Sequence, residues 1–494
     1  MRRNLVRLIV LMGVVFFQVQ VTTAQRVLTL KQALNTAFEN SPDIRKSRIY
    51  MEQNKLYLIA QKASLKSKFS LDVTPFTYRK EDSYNEYFSK WNNTENKGSN
   101  GSFSILQPIA ITDGKLLLRN QFGYQDNKSQ ASGPYTGYNN SLYLQYDQPI
   151  FTYNRIKMEL KRNKMNLENA TLAYSITMLS KEREVTVAFY AIYQKQMGLK
   201  IAREEYENQK VSLDIIASKV EGGLSAKEEL FQAQLNLSTS KSSLENRKVE
   251  LANSMDNFRQ LLGISLDEDI NVETDIDYRP VIVDLRKAID NGLSQRMELT
   301  QRKIDFNKAK FDLIERQAAN EFKGNVKLSV GVMGNDSQFK NIYDKPTKSP
   351  EVGITFSIPV FDWGARKARV KAAKLEVTSK QIDMETLKDD IVISIRKVYR
   401  NLQNLINQID IAKQNQKNAT LTYEINLERY KNGDLTSMDL DRFQNQLSEK
   451  KMKLTNSLID YKLELLNMRI QSLWDFEHNC SFVPQDLQNN LIEE

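Results

Sequence analysis

From Tyr153 to Val220 the chain runs 68 residues without a proline, and within that stretch apolar or aromatic side chains return every seventh position at Val185, Ile192, Leu199, Tyr206, Leu213 and Val220. A sustained seven-residue repeat marks the buried seam of a supercoiling helix. As a helix this arm is roughly 100 Å long at 1.5 Å per residue, longer than any compact domain needs. A turn at Glu221 to Ser225 reverses the chain, and the return arm keeps the spacing with Leu230, Leu237, Leu244, Leu251 and Phe258. Moved forward 210 residues, the pattern recurs in Ile395, Leu402, Ile409, Gln416, Tyr423 and Tyr430, then in Leu440, Leu447, Leu454, Tyr461 and Met468. The chain therefore carries two copies of one helical hairpin, an internal tandem repeat.

Duplication makes the 494 residues two halves of one body rather than several unrelated domains. A mean hydropathy of −0.53 excludes a bundle of membrane helices. The one apolar run is N-terminal, where Arg2, Arg3 and Arg7 flank Leu8 to Phe17 ahead of Thr22-Thr23-Ala24, which predicts a signal peptide over residues 1–24. With no cysteine near that cut, a lipid-modified N-terminus is not expected. The lone Cys480 cannot form an internal disulfide, and the lone His478 leaves little room for imidazole chemistry or a histidine metal site. Removing the three signal arginines from a net charge of +9 leaves +6, spread over many charged side chains, which reads as solvated helix faces and not as a nucleic-acid surface.

Taken in order, the first repeat covers residues 25–262, an acidic linker 263–280, the second repeat 281–472 and a tail 473–494. Linker and tail are expected to lie outside the helical body at mid-height. A short amphipathic helix from Leu30 should stop near Asn40, with Ser41 capping a second helix that has Pro42 and Asp43 in its first turn. These first helices recur at an offset of 255, with Leu30, Ala33, Ile44, Ile49 and Leu58 falling on Leu285, Ala288, Leu299, Ile304 and Leu313.

Period-two alternation then marks strands at Phe69–Val73, Leu142–Tyr146, Val326–Val332 and Val352–Ile358. Each range marks the clearest part of a segment of about ten residues, the length of a tilted membrane-spanning strand, although alternation alone also fits a half-buried soluble sheet. A duplicated joint favours the membrane. Gln148-Pro149-Ile150-Phe151 with Tyr153 matches Ile358-Pro359-Val360-Phe361 with Trp363, where proline should end the ladder and Phe151, Tyr153, Phe361 and Trp363 suit a membrane interface. The first repeat has extra length between its strands, residues 74–140, where Ser102–Ile109 and Lys115–Tyr124 form a further strand pair: an extracellular hairpin or added barrel strands. Four spanning strands cannot close a sheet, and open edges are not tolerated in lipid, so the chain must self-associate. The picture is a hollow oligomeric conduit.

At this point the chain resembles the TolC family of outer membrane channels over nearly its whole mature length. The resemblance is carried by Leu28-Thr29-Leu30 with Ala33-Leu34, Ala37 and Asn40-Ser41-Pro42, by the two strand exits, and by the turns Gly223-Leu224 with Glu229, Ala233 and Gln234, and Tyr430, Gly433, Thr436, Asp439 and Gln444. It implies a mixed fold: a trimeric, twelve-stranded outer-membrane β-barrel continued by a long α-helical coiled-coil barrel through the periplasm. It also implies a homotrimer in outer membrane lipid of a Gram-negative-type bacterium. A periplasmic adaptor (membrane fusion) protein and an inner-membrane RND or ABC transporter would complete it, for efflux or type I secretion.

Glycines at Gly222, Gly223 and Gly433 would let the backbone reverse between antiparallel helices. The resemblance makes Gly223, Leu224, Ser225, Gly433, Asp434, Leu435 and Thr436 the adaptor-docking turns, with Asp434 departing from the apolar residue usual there. Glu229 and Asp439 match acids that constrict the tunnel mouth, and Tyr430 a tyrosine that ties it closed; as bare sequence, the acids are also simple helix N-terminal placements. Leu435 stands where some members have a basic tie residue and Arg442 where they have a second acid, so this gate should be less cation-selective. No enzyme is expected: neighbouring acids such as Asp389 and Asp390 point about 100° apart on a helix, and no phosphate loop, nucleophile with its base, metal site or cofactor motif is seen. The rival reading is a secreted coiled-coil adhesin or scaffold with a soluble β cap.

Overall fold

The computed structural model describes residues 26–87, 89–129, 133–273, 276, 278–319 and 321–483, so the expected signal peptide and the end of the tail lie outside the described residues. The elements run β1 (Arg26–Leu28), α1 (Leu30–Asn40), α2 (Pro42–Ser64), β2 (Lys68–Asn85), β3 (Lys90–Ile109), β4 (Gly114–Ser129), β5 (Gly133–Ile150), α3 (Arg155–Glu221) and α4 (Lys227–Leu262). After the midpoint come β6 (Ile270–Val272), α5 (Leu285–Gln295), α6 (Met297–Ala318), β7 (Lys323–Asp336), a 3-10 turn (Phe339–Tyr343), β8 (Thr347–Lys348), β9 (Glu351–Ser357), α7 (Ala365–Asn432), α8 (Ser437–Ser472), β10 (Trp474–Asp475) and β11 (Cys480–Ser481). The arms α3 and α7 are 67 and 68 residues long, as the proline-free heptads require. The described residues divide into two compact units, one within 26–47, 174–296 and 389–483, the other within 48–173 and 297–388.

The first unit is held by helix seams. In α7 and α8, Ile395, Leu402, Ile409, Tyr423, Tyr430, Leu440, Leu447, Tyr461 and Met468 are buried and only Gln416 and Leu454 of the seam are half-buried, so the seven-residue reading holds there at nine of eleven positions. In α3 it drifts. Val185 and Ile192 are buried, but Leu199, Tyr206, Leu213 and Val220 are only half-buried, and Ala202, Gln209 and Ile216 take the interior. A helix of 3.6 residues per turn rotates about 20° per heptad against a strict seven-residue stripe, which moves burial to the neighbouring row.

The duplicated short helices share their caps as well as their apolar faces. Thr29 accepts from the Gln32 amide and Gln32 returns the bond to Thr29, a capping box, while at the matching place Asp284 accepts from Arg286 and Lys287. Small residues at Ala33, Ala37, Ala288 and Gly292 let each helix lie close to its neighbours, and a Cβ on Gly292 would stand 2.6 Å from Ile395 Cδ1. Ser41 departs from expectation: its backbone N–H closes α1 onto Ala37, but its buried hydroxyl makes no capping bond. The linker is also less irregular than expected. Its Ile270–Val272 pairs in parallel with Arg26–Leu28, and Leu28, Ile270 and Val272 join Val185, Phe189, Ile192, Phe258 and Leu262 in one core. These two short strands, with no other partner strand among the described residues, satisfy each other there, which periodicity over three residues cannot announce.

The second unit carries the sheet. Its order is β2-β3-β4-β5-β7, with β8 and β9 end to end along the free side of β7 in one register. Where alternation counted four strands, the sheet has six in lateral order. Residues 102–124 are not a detached hairpin but the base of β3 and β4, which lie in the sheet between β2 and β5. Pro149 does not end its ladder either: it pairs opposite Asn325, and Ile150 continues opposite Gly324. Past Asp147 only β7 flanks the strand, so a missing N–H is tolerated as at an edge. Pro75 does interrupt, since the β2 register shifts between Thr74 and Thr77.

Tyr461, fully buried on α8, ties the linker down: its hydroxyl donates to the Arg279 carbonyl at 3.1 Å and accepts from the Val281 N–H at 2.9 Å. Tyr461→Phe strands both backbone groups. It should cost about 1–3 kcal/mol, read as a lowered unfolding midpoint of the detergent-extracted protein with unchanged oligomer size.

Candidate functional site

Residues opposite one another in an antiparallel ladder share a face, so the register sorts the sheet without further assumption. One face takes Phe69, Leu71 and Val73 from β2, Phe103 and Ile105 from β3, Leu116 and Leu118 from β4, Leu142 and Leu144 from β5, Val326, Leu328, Val330 and Val332 from β7, and Val352, Ile354 and Phe356 from β9. The band runs across six strands, interrupted on the same face by the polar side chains of Gln107, Asn120, Asn140 and Gln148. It is also uncovered: Leu71 is 70% exposed, Val330 60% and Val352 75%. Over the same height the opposite face is polar apart from Leu106, Pro108, Leu117, Tyr143, Pro149 and Met333. There Arg119 donates to Ser102 at 3.0 Å, Gln145 to Asp147 at 2.7 Å, and Lys327 meets Glu351 at 3.0 Å.

Aromatic rings border the band at both ends. Toward the helices Phe151 meets Phe322 at 5.3 Å, Phe322 stacks on Phe356 at 5.5 Å, and Phe361 meets Trp363 edge-on at 4.7 Å. At the far end Phe122, Tyr124, Tyr138 and Phe339 form a cluster with centroids 5.2 to 6.2 Å apart, and Tyr343 extends it. On β5, Ile150, level with Phe356, is twelve residues from Tyr138. That is about 40 Å of strand and about 30 Å in height at the usual tilt near 40°, the thickness of a hydrocarbon core. Of the four aromatics at the duplicated joint, Phe151, Phe361 and Trp363 are exposed at this end of the band, Trp363 to 89%, while Tyr153 is half-buried and belongs to no aromatic pair among the described residues. The joints match in sequence but not in backbone: the positive φ falls on Phe151 in one and on Trp363 in the other. Sequence reading missed Phe322 and the whole far cluster, because those rings come from four separate segments that only the register brings level.

The helical turns are duplicated in geometry. At the first, the Leu224 N–H bonds the Lys219 carbonyl and the Gly223 N–H that of Val220; at the second, the Asp434 N–H bonds Arg429 and the Gly433 N–H bonds Tyr430. Both are Schellman motifs around a left-handed residue, Gly223 at φ +71° and Gly433 at φ +92°. Gly222, expected to share the role, does not take positive φ. Leu224 is 82% exposed, Gly433, Asp434 and Thr436 are exposed, Ser225 is half-buried, and Leu435 packs against the core around Tyr430 and Leu440. Glu229 and Asp439 stand at matched places beyond the turns, each held by a turn hydroxyl: Ser225 donates to Glu229 and Thr436 to Asp439, both at 2.7 Å.

Tyr430 is fully buried and joins arm to arm, donating to the Ser212 carbonyl of α3 at 3.2 Å. Burial pushes its phenol above the usual range, and the nearby Glu229 carboxylate adds to the rise. The structure thus brings Glu229 and Tyr430 together. It adds a residue that sequence reading passed over, Lys219, whose ammonium bonds the Tyr430 carbonyl and lies 5.0 Å from its ring. A cation in the last turn of α3 was the available signal.

Further along the arms α3 and α8 are bridged by polar pairs: Asn208 to Gln444 at 2.8 Å, Gln209 to Asp441 at 2.6 Å and Lys451 to Glu204 at 2.6 Å. Burial raises both Glu205 and Asp441 above the ordinary carboxylate range, and for Glu205 the Asp441 charge raises it further.

An exposed apolar band with a polar reverse side, bordered by aromatics, and two turn-linked pairs of very long helices define an outer-membrane channel with a helical stem. Comparison with known proteins gives the same class. The family described as Outer membrane efflux protein matches residues 117–264 and 289–469, once in each half. The chain belongs to this family and is an outer membrane efflux protein. Its relatives include CyaE of Bordetella pertussis, 22% identical over 301 residues that cover 60% of each chain, so this chain spans about three fifths of that relative. TolC of Escherichia coli K12 is 21% identical over 344 residues, 67% of this chain and 68% of TolC. Among solved structures the Campylobacter jejuni CmeC outer membrane channel superposes with a TM-score of 0.70 at 16% identity, over 94% of this chain and 89% of CmeC.

Two measurements follow. Gly433→Ala places a Cβ on a left-handed residue and should cost about 1–2 kcal/mol, with a matching loss for Gly223→Ala and a smaller one for Gly222→Ala. The folded chain holds the Glu205 and Asp441 protons more tightly than the unfolded chain, so their contribution is fully present below the ordinary carboxylate value and is lost as pH rises through the raised one. The unfolding midpoint should therefore increase on mild acidification, and Glu205→Gln should flatten that slope and stabilise the protein at neutral pH.

Proposed function

We propose that this chain forms the outer-membrane duct and periplasmic tunnel of a tripartite export system as a homotrimer. Cargo would enter at the helical turns from a periplasmic adaptor protein and an inner-membrane RND or ABC transporter, and leave through the sheet. The observation that carries the reading is the uncovered apolar face, one hydrocarbon core in height, whose reverse is lined by Arg119, Lys327, Glu351 and Asp147. In water such a face is unfavourable at about 25 cal/mol per Å²; in lipid it is the required outer surface of a barrel, with the polar face toward a wet lumen. Among the described residues no helix is long and apolar enough to cross a membrane.

The turns are the adaptor surface in this reading, with Leu224 as the exposed apolar contact of the first and Asp434 as a charged contact in the second. Glu229 and Asp439 place carboxylates beside the mouth, where like charge concentrates cations. Tyr430 with Lys219 holds the α7 turn against α3, so the closed mouth is tied through buried groups.

Detergent-extracted protein in planar bilayers should show cation-favouring conductance that changes in size and selectivity with Glu229→Ala and Asp439→Ala. The band has its own control. Leu144→Arg, at mid-height on the apolar face, should cost about 2–4 kcal/mol of assembly and deplete heat-modifiable oligomer in the outer membrane, whereas Gln145→Arg on the polar face should insert normally. A water-soluble monomer recovered without detergent would defeat the proposal.

A further inference from the structure

The sheet ends in two edges that have no partner strand among the described residues: β2 on one side, β8 with β9 on the other. In lipid each would leave a row of backbone N–H and C=O groups unsatisfied. Resting on the trimeric channel reading above, we infer that β2 of one copy pairs antiparallel with β9 of the next, so that each copy gives six strands to a common wall and three copies make eighteen. This is half as many again as the four per copy implied by the resemblance to the TolC family.

The two edges are matched in length. β9 is the seven residues Glu351–Ser357, preceded by Pro350. β2 offers the seven residues Lys68–Thr74 before its register breaks at Pro75. Pairing Lys68 with Ser357 and Thr74 with Glu351 of a second copy uses every residue of both segments, and the two prolines, which lack an N–H, meet where the pairing stops. In that register Phe69, Leu71 and Val73 fall opposite Phe356, Ile354 and Val352, so the apolar band crosses the joint unbroken. Ser70 and Asp72 meet Thr355 and Gly353 on the polar side.

Strand tilt agrees. Followed straight across the ladder, Lys68 lines up with Leu106, Leu117, Gln145, Ser329 and then Glu351, six residues short of the end of β9 at Ser357. The proposed joint carries Glu351 on to Thr74 of the next copy, so one circuit from β2 to the next β2 advances six residues over six strand spacings; at about 3.3 Å per residue and about 4.8 Å per spacing this sets a tilt of about 35°, within the range a closed barrel needs. The joint thus supplies the stagger that a closed barrel requires. Six strands alone fall below the eight of the smallest membrane barrels, so one copy cannot close on itself.

The test is inter-copy disulfide formation in outer membranes, in a Cys480→Ser background that removes the exposed native thiol. Ser70→Cys with Thr355→Cys, and separately Leu71→Cys with Ile354→Cys, sample neighbouring pairs, of which one is the close, non-hydrogen-bonded kind. Oxidation should convert the monomer band to dimer and trimer with at least one pair and with none of the four single variants. A density map of the unmodified trimer should show eighteen wall strands, a barrel about 1.5 times the diameter of a twelve-stranded one. A trimer with a twelve-stranded wall, β3 and β4 standing outside it, would overturn the inference and leave the channel reading intact. A trimer that yields no inter-copy product with either pair overturns the joint, and a water-soluble monomer defeats both.

Discussion

A backbone amide in hydrocarbon has no water to turn to, and the design of this protein follows from that constraint. Each strand of the sheet must be flanked, each long arm must satisfy its own amides as helix, and any edge left by one copy must be met by another. The register of β2 through β9 answers the first demand and at the same time sorts apolar from polar side chains, because a slip of one residue would send every side chain to the wrong face. Alternation in the sequence and hydrogen bonding in the ladder are therefore two expressions of one requirement. The aromatic clusters at either end of the band fix its height on the same strands.

The helical half obeys a different economy of packing. Its arms are too narrow to bury a globular core, and they are stabilised by seams of one or two side chains per turn, supplemented by cross-arm polar pairs such as Gln209 with Asp441 and Lys451 with Glu204. Seams of this kind leave the ends of the arms dependent on local chemistry. The two Schellman turns, each followed by an acid held by a hydroxyl, supply it, and Tyr430 with Lys219 adds a buried tie across arms. The residues proposed to gate a mouth thus also stand at the helix ends, Glu229 and Asp439 in the first turns of α4 and α8 and Tyr430 in the last turn of α7.

Much of the architecture was legible in the residues. Heptads located all four long arms to within a few residues, glycines located the turns, and the offsets of 210 and 255 showed the repeat. The strand count was not legible. β3 is dominated over its outer half by Asn, Ser, Thr, Lys and Gly, so its alternation shows only in the short stretch near Phe103 and Ile105. A polar strand beyond the lipid has no hydrophobic signal to display, and it is recognised only by the neighbours that pair with it. The three-residue pairing of β1 with β6 escaped for a related reason, being too short to carry a period.

What the sequence determined by itself is every feature fixed by neighbours along the chain: helix from seven-residue spacing, reversal from glycine, strand from alternation, and the placing of acids just past a turn. What only the tertiary structure decided depends on residues far apart in number: that six strands share one register, that Phe122, Tyr138 and Phe339 lie level, that burial in α3 shifts to the Ala202 row, and that Lys219 reaches the Tyr430 carbonyl. Local rules are written in spacing, whereas level and register are set by hydrogen bonds between segments whose separation in sequence carries no information about their separation in space.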